Sequence, residues 1–330
     1  MISQPTVLIL GAGASQPYGY PTGEELREYI IDHFIHDIEE YFGDQMTKGV
    51  LEVKWIKPAG NFVETFSKST TQSIDLFLAR NPEYAPIGKK AIILSIHKAE
   101  CNSQFREQVN NRNHDWYSYF YRILTSDLVE KEDYARFSEN KISIITFNYD
   151  RSLEHFLYES LSNSFSSAPK EEIKKLICGI PTIHVFNQIA GLDWQNLPSK
   201  IAYGNRTGLD YVSVTNIADQ INTIYDNEDN PELTKAQTLI RQAKNIFFLG
   251  FGFAKENLNL LKIPDILSSE QMIHCTGYKL DAQEIAEIKT IFTRDSKTGQ
   301  KTRVKPNYLH VEDLDSYALL KKFSCFLKPL

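Results

Sequence analysis

The chain has 330 residues, 42% of them hydrophobic and 24% charged, which excludes a mainly disordered state and leaves enough chain for a large core. Its 36 Lys and Arg against 42 Asp and Glu give a net charge of −6, which argues against a general nucleic-acid binder. Cys101, Cys178, Cys275 and Cys325 lie far apart and form no CxxC pair, so neither a disulfide framework nor a zinc ribbon is expected, and a reducing, cytoplasmic setting is.

Thr6-Val7-Leu8-Ile9-Leu10 is a short apolar run without a basic flank. It reads as a buried parallel strand rather than a signal peptide. Nowhere does an apolar run reach 18 residues, so no membrane span is expected. Gly11-Ala12-Gly13-Ala14-Ser15 follows directly. Small residues at a strand exit let the backbone approach a pyrophosphate, the next helix N-terminus favours an anion, and Ser15 adds a hydroxyl. Gln16 stands where GxGxxG would have its third glycine, and Asp32 and Asp37 fall inside a helical pattern instead of ending a second strand. A hydride-transferring dehydrogenase is therefore disfavoured.

Leu26, Tyr29, Ile30, Phe34, Ile38, Tyr41 and Phe42 recur at helical spacing. Further helical stretches are expected at 74–79, 89–98 and 116–124. Strand-like runs return at 142–147, 181–186, 246–249 and 272–275, with 308–311 as an edge strand. Helical patterns at 152–161, 233–243 and 282–292 alternate with them. The pattern predicts an α/β protein: a Rossmann-like parallel sheet with helices on both faces. Residues 1–23 and 139–330 would form its core, and 24–138 a mostly helical insertion over the cleft. The basic stretch 294–305 reads as a solvated loop.

Ligands of open α/β sheets sit beyond the carboxyl ends of the strands. Asn148 and Asp150 follow the strand at 142–147, His184 lies in the run at 181–186, and Gly250-Phe251-Gly252-Phe253 with Asn257 follows the strand at 246–249. Taken singly these read as helix caps, a structural histidine and a packing turn. Together they are more informative: the glycine loop, Asn with Asp, His and a second glycine turn all fall at predicted strand ends.

The combination of Gly11-Ala12-Gly13-Ala14-Ser15, Thr146-Phe147-Asn148-Tyr149-Asp150, His184 and Gly250-Phe251-Gly252-Phe253 resembles a sirtuin-type NAD-binding domain over residues 7 to about 261. Ser73-Ile74-Asp75-Leu76-Phe77-Leu78 and Gly19-Tyr20-Pro21-Thr22-Gly23-Glu24-Glu25-Leu26 further resemble the sirtuin-like proteins of bacterial antiviral defence. The resemblance implies NAD as substrate, with Gly11, Ala12, Gly13 and Ser15 holding the diphosphate. It implies that Asn148 positions the ribose and the attacking water, and that His184 is the general base. Asp150 would bind the nicotinamide amide, with Asp75 as a candidate on the same side. Gly250, Gly252 and Asn257 would lie along the adenosine ribose and phosphates. Deacylating sirtuins carry a four-cysteine zinc ribbon that the scattered cysteines here do not provide, so zinc is not expected and water is favoured over an acyl-lysine as the nucleophile. The expectation is an NAD glycohydrolase that depletes NAD during phage infection. By family analogy it would be gated by homo-oligomerisation or by a HerA-type ATPase or Argonaute-like partner. A protein deacylase or ADP-ribosyltransferase, and a non-catalytic module that binds NAD or ADP-ribose, are the alternatives.

Overall fold

The computed structural model describes residues 1–71, 73–103, 114–223, 230–294 and 304–327; most of the basic stretch at 294–305 lies outside them. Six strands form one all-parallel sheet: β1 Thr6–Leu10, β2 Ile142–Thr146, β3 Thr182–His184, β4 Asn245–Leu249, β5 Met272–Thr276 and β6 Leu309–Glu312. Their spatial order is β3-β2-β1-β4-β5-β6, the doubly wound order of dinucleotide-binding sheets. Thr6 pairs with Ile142 on one side and Asn245 on the other, so β1 is central. All five residues of β1 and of β4 are buried. Side chains alternate between the two faces of a strand, so both faces of the sheet are covered. That is why these strands read as unbroken apolar runs. The edge position of β6 agrees with the sequence reading.

The insertion begins with helix Gly23–Phe42, opened by a capping box. Thr22 N–H donates to Glu25 Oε2 at 2.7 Å, and Glu25 N–H donates to Thr22 Oγ1 at 3.3 Å, which satisfies two of the orphan amides of a helix start. This helix packs on Ala85–Cys101, where Lys98 Nζ donates to Asp37 at 2.5 Å and to Glu40 at 2.8 Å. Between them Phe34, Phe62, Phe66, Phe77 and Tyr84 form a continuous aromatic cluster. The helical stretch Lys48–Lys68, interrupted by a π-turn at Glu52–Ile56, is one that the periodicity does not reveal. Lys170–Cys178, Tyr211–Ala218 and Ser316–Lys322 are likewise helices beyond those expected.

Insertion and core are not separate bodies. Helix Trp116–Leu124 packs against Ser152–Ser164 and Ser316–Lys322, with the Tyr119 ring edge-on to Tyr317. Its residues belong to the same apolar cluster as β1 and β4. A second tie is a fully buried ion pair. Arg151 Nε and Nη2 donate to the two oxygens of Glu100 at 3.0 and 2.7 Å, and Nη1 donates to the carbonyls of Gly191 and Ile201 at 2.7 and 2.6 Å. Gly204 N–H also donates to Glu100, at 2.9 Å. With those polar bonds made, two charges that would be costly to desolvate alone lock helix Ala85–Cys101 to the loop around residues 190–204.

Candidate functional site

A cavity of about 1010 Å³ opens along the carboxyl ends of the strands. It spans the β1/β4 boundary, the switch point where the chain reverses direction across the sheet and where ligands of such sheets bind. Its size suits a dinucleotide. Gly11, Ala12, Gly13, Asn148, Gly250, Gly252 and Asn257 line it, and Asp75 reaches it from the insertion. Eight of the eleven residues expected at the site therefore converge. The remaining three, Ser15, Asp150 and His184, do not line it, and each departs for a physical reason.

The glycine loop forms one helical turn, Ala12–Ser15, packed directly on the turn after β4. Gly11 N–H donates to Leu249 O at 3.0 Å, and Gly13 N–H donates to Gly250 O at 3.1 Å. A Cβ on Gly11 would fall 2.5 Å from Gly250 O. Gly11, Gly13 and Gly250 are thus demanded by the contact of two strand exits with each other. The sequence reading assigned that closeness to a ligand. Gly252 differs, because nothing lies within 4 Å of a Cβ built on it, and its backbone faces open space in the cavity wall. Ser15 points down instead of outward. It is buried, accepts from Asn148 Nδ2 at 3.0 Å, and lies 3.5 Å from Tyr117 Oη.

Beneath the loop, helix Trp116–Leu124 supplies a polar floor. Trp116 Nε1 donates to Ala14 O at 2.7 Å, Tyr18 Oη donates to Asp115 at 2.9 Å, and Tyr18 Oη accepts from Tyr117 N–H at 2.7 Å. Tyr117 Oη lies 2.7 Å from Ser152 Oγ, which donates to Asp150. Asp150 also accepts from Ser152 N–H at 3.1 Å. Its carboxylate is therefore spent on the start of helix Ser152–Ser164 and the buried hydroxyls, and not on the cavity. Burial pushes its carboxyl above the ordinary range, and the hydrogen bonds from Ser152 and Ser15 pull against that shift.

His184 lies apart from the main cavity. It ends β3, opposite Thr146, and lines a second cavity of about 1210 Å³ together with Glu154, Asn187 and Gln188. Both ring nitrogens are engaged: Nδ1 lies 3.0 Å from Asn148 O, and Nε2 lies 2.7 Å from Glu154 Oε1. Burial disfavours the imidazolium, but the Glu154 carboxylate outweighs it, aided by the Asn148 carbonyl and Asp150. The net result is a pKa above the usual histidine value. A histidine with both ring nitrogens engaged by a carbonyl and a carboxylate has no nitrogen free to act as a base toward a ligand in the other cavity.

Asp75 does face the main cavity. Tyr149 Oη donates to one of its oxygens, and Ser73 Oγ donates to the other at 3.3 Å. Burial raises its carboxyl above the ordinary range, against the pull of those two hydroxyls. Tyr149 adjoins Asn148, so this bond ties the insertion to the exit of β2. The sequence reading also missed His114 and Asp315, paired at the cavity wall, and Glu256 and Arg80, which line it. Among the described residues no group of three or more His, Cys, Asp or Glu could hold a metal ion, and no helix is long and apolar enough to cross a membrane.

The chain matches no family model, and no curated protein is found to be similar to it.

Proposed function

We propose that the cavity at the β1/β4 switch point binds NAD and that the chain hydrolyses it to nicotinamide and ADP-ribose, in the manner of the sirtuin-like proteins that its motifs resemble. The observation that carries this reading is the convergence of Gly11, Gly13, Asp75, Asn148, Gly252 and Asn257 on one dinucleotide-sized space. In the reaction the bond between nicotinamide nitrogen and ribose C1′ breaks through an oxocarbenium-like centre. A water forms the new C1′–O bond and loses a proton. Asn148 lines the cavity, and its carboxamide would bond a ribose hydroxyl or that water. Asp75 lines the same cavity and is bonded by Tyr149, the neighbour of Asn148, and its raised pKa suits it to take the proton. His184, behind Asn148, would act through the Asn148 carbonyl. Depletion of NAD in antiviral defence, gated by self-assembly or by a partner, is the biological role that this activity would serve.

One observation favours a second reading, a module that binds NAD or ADP-ribose without turning it over: the engagement of both His184 nitrogens away from the cavity. A single assay separates the two. Purified protein, alone and with candidate partners, is incubated with NAD while nicotinamide and ADP-ribose are followed. Hydrolysis predicts release by the wild type and none by Asn148→Ala. Binding of ADP-ribose without release under any condition would establish the module instead.

A further inference from the structure

His114 and Asp315 take no part in the hydrolysis, yet both line the cavity, and His114 Nδ1 is hydrogen-bonded to Asp315 Oδ2. Asp315 is itself fixed, because its Oδ1 accepts from Ala318 N–H at 2.8 Å. A carboxylate on Nδ1 keeps the proton on that nitrogen, orients the ring and leaves the Nε2 lone pair free. His114 Nε2 has no partner among the described residues, and the side chain is 52% exposed, so a ligand can reach it.

This pair belongs to the other end of the cavity from Asp75 and Asn148. Asn148, with Asp75 bonded to its neighbour Tyr149, stands at the exit of β2. Asp315 follows β6, four strand spacings away in the order β2-β1-β4-β5-β6. At the usual distance between neighbouring strands those exits are roughly 19 Å apart, with the glycine loop after β1 between them. The two groups therefore cannot act on one reacting carbon, and a dinucleotide whose diphosphate lies at the glycine loop brings one nucleoside to each. The β5 exit adds an aromatic surface to the far end. Tyr278 is 52% exposed, and among the described residues it is the only exposed large hydrophobic side chain in the cavity wall, to which Leu280 and Ile288 also contribute. Lys279 Nζ lies over one face of its ring, 5.1 Å from the centroid.

We propose that His114, positioned by Asp315, accepts a hydrogen bond from a ribose hydroxyl of the nucleoside at this end, and that the other face of Tyr278 stacks on the base of that nucleoside. The assignment rests on the NAD reading for which nucleoside this is, the adenosine. It adds contacts from the insertion and from the chain after β5 and β6, where the resemblance implies none. A site that reads a sugar hydroxyl discriminates against the deoxy analogue, which leaves the acceptor unpaired.

The test measures binding of AMP, its 2′,3′-dideoxy analogue and nicotinamide mononucleotide by calorimetry to the wild type, His114→Ala, Asp315→Asn and Tyr278→Ala. Asn caps a helix as well as Asp does, so Asp315→Asn keeps the helix start and loses only the carboxylate. The wild type is expected to bind AMP about tenfold more tightly than the dideoxy analogue, the worth of one hydrogen bond. That preference vanishes in His114→Ala and shrinks in Asp315→Asn. Tyr278→Ala weakens both adenine nucleotides about tenfold and leaves their ratio unchanged. Nicotinamide mononucleotide binds all four proteins alike. An unchanged preference for AMP in His114→Ala overturns the proposal, as does a loss confined to nicotinamide mononucleotide. If AMP binding follows His114 and Tyr278 while the wild type releases no nicotinamide from NAD, the nucleoside contacts stand and the hydrolase reading fails. If the wild type binds no nucleotide at all, both fail.

Discussion

Gly250, at φ +56°, lies so close over the glycine loop that a Cβ on it would fall 2.2 Å from the Gly13 carbonyl carbon and 2.0 Å from Ala14 N. Backbone cannot yield as a flexible side chain can, and the left-handed φ adds its own penalty to any L side chain. Two residues on, Gly252 has open space where its Cβ would stand. The pair separates fold from function. Gly250→Ala is expected to cost about 2–4 kcal/mol and to disorganise the cavity, read as a fall in the urea midpoint together with loss of ADP-ribose binding. Gly252→Ala is expected to unfold at the wild-type midpoint. Any loss of binding in it then reports a ligand against that stretch of backbone. Equal midpoints for the two variants would refute the packing argument.

Glu154 and His184 set a pH dependence of opposite sign to the usual carboxylate case. The folded pKa of His184 is raised above its unfolded value. The pair therefore contributes its full stability below the unfolded pKa, about 6.5, and loses it as pH climbs through the folded value. Wild-type stability should decline as pH rises above about 6.5. Glu154→Gln should remove that slope while lowering stability near neutrality by about 3 kcal/mol, since the variant leaves a buried histidine without its carboxylate. Chemical denaturation of both proteins from pH 6 to pH 9 reads both effects. Parallel curves would show that this pair does not titrate with folding.

The sheet was legible because its strands are buried on both faces. Val7 to Leu10 and Ile246 to Leu249 can be nothing but apolar. Asn148, Gly250 and Asn257 were legible for a related reason: polar and glycine residues at a parallel-strand exit lead into the crevice. What the sequence could not supply was parity and partnership. His184 and Asn148 both stand at strand exits, but which face each side chain takes depends on how the chain leaves the strand, and His184 turned toward Glu154. Asp150 looked like a ligand contact because an Asp after a strand can equally face the crevice or hold the start of the next helix, and its carboxylate took Ser152 instead. Arg151 and Glu100 gave no signal at all, since a charged residue in a helix or loop ordinarily reads as solvated, and their pairing spans 51 positions. Helix Lys170–Cys178 escaped because it buries only Ile173 and Ile177, too narrow a stripe to show a period.

His274 has the reverse pH behaviour, because it is buried without a hydrogen-bond partner among the described residues. It is wholly buried in β5, and neither ring nitrogen has a hydrogen-bond partner among the described residues. The rings of Phe247, Phe323 and Phe326 pack around it, and His310 stacks on it at 5.1 Å. Burial, with the neighbouring His310, pushes its pKa down to about 3. The folded protein keeps this imidazole neutral while the unfolded chain takes up a proton below about 6.5. Stability is therefore lost as pH falls from about 6.5 toward 3, the low side of the window in which the Glu154–His184 pair acts on the high side. His274→Phe replaces the ring by one of similar shape and leaves no orphaned nitrogens. It should raise stability by about 1–3 kcal/mol at neutral pH and flatten the acid arm of the profile. Urea midpoints at pH 7 and pH 5 for the two proteins supply the check: the gain should be larger at pH 5, and a variant less stable than wild type at both would mean that the aromatic cluster has no room for the exchange.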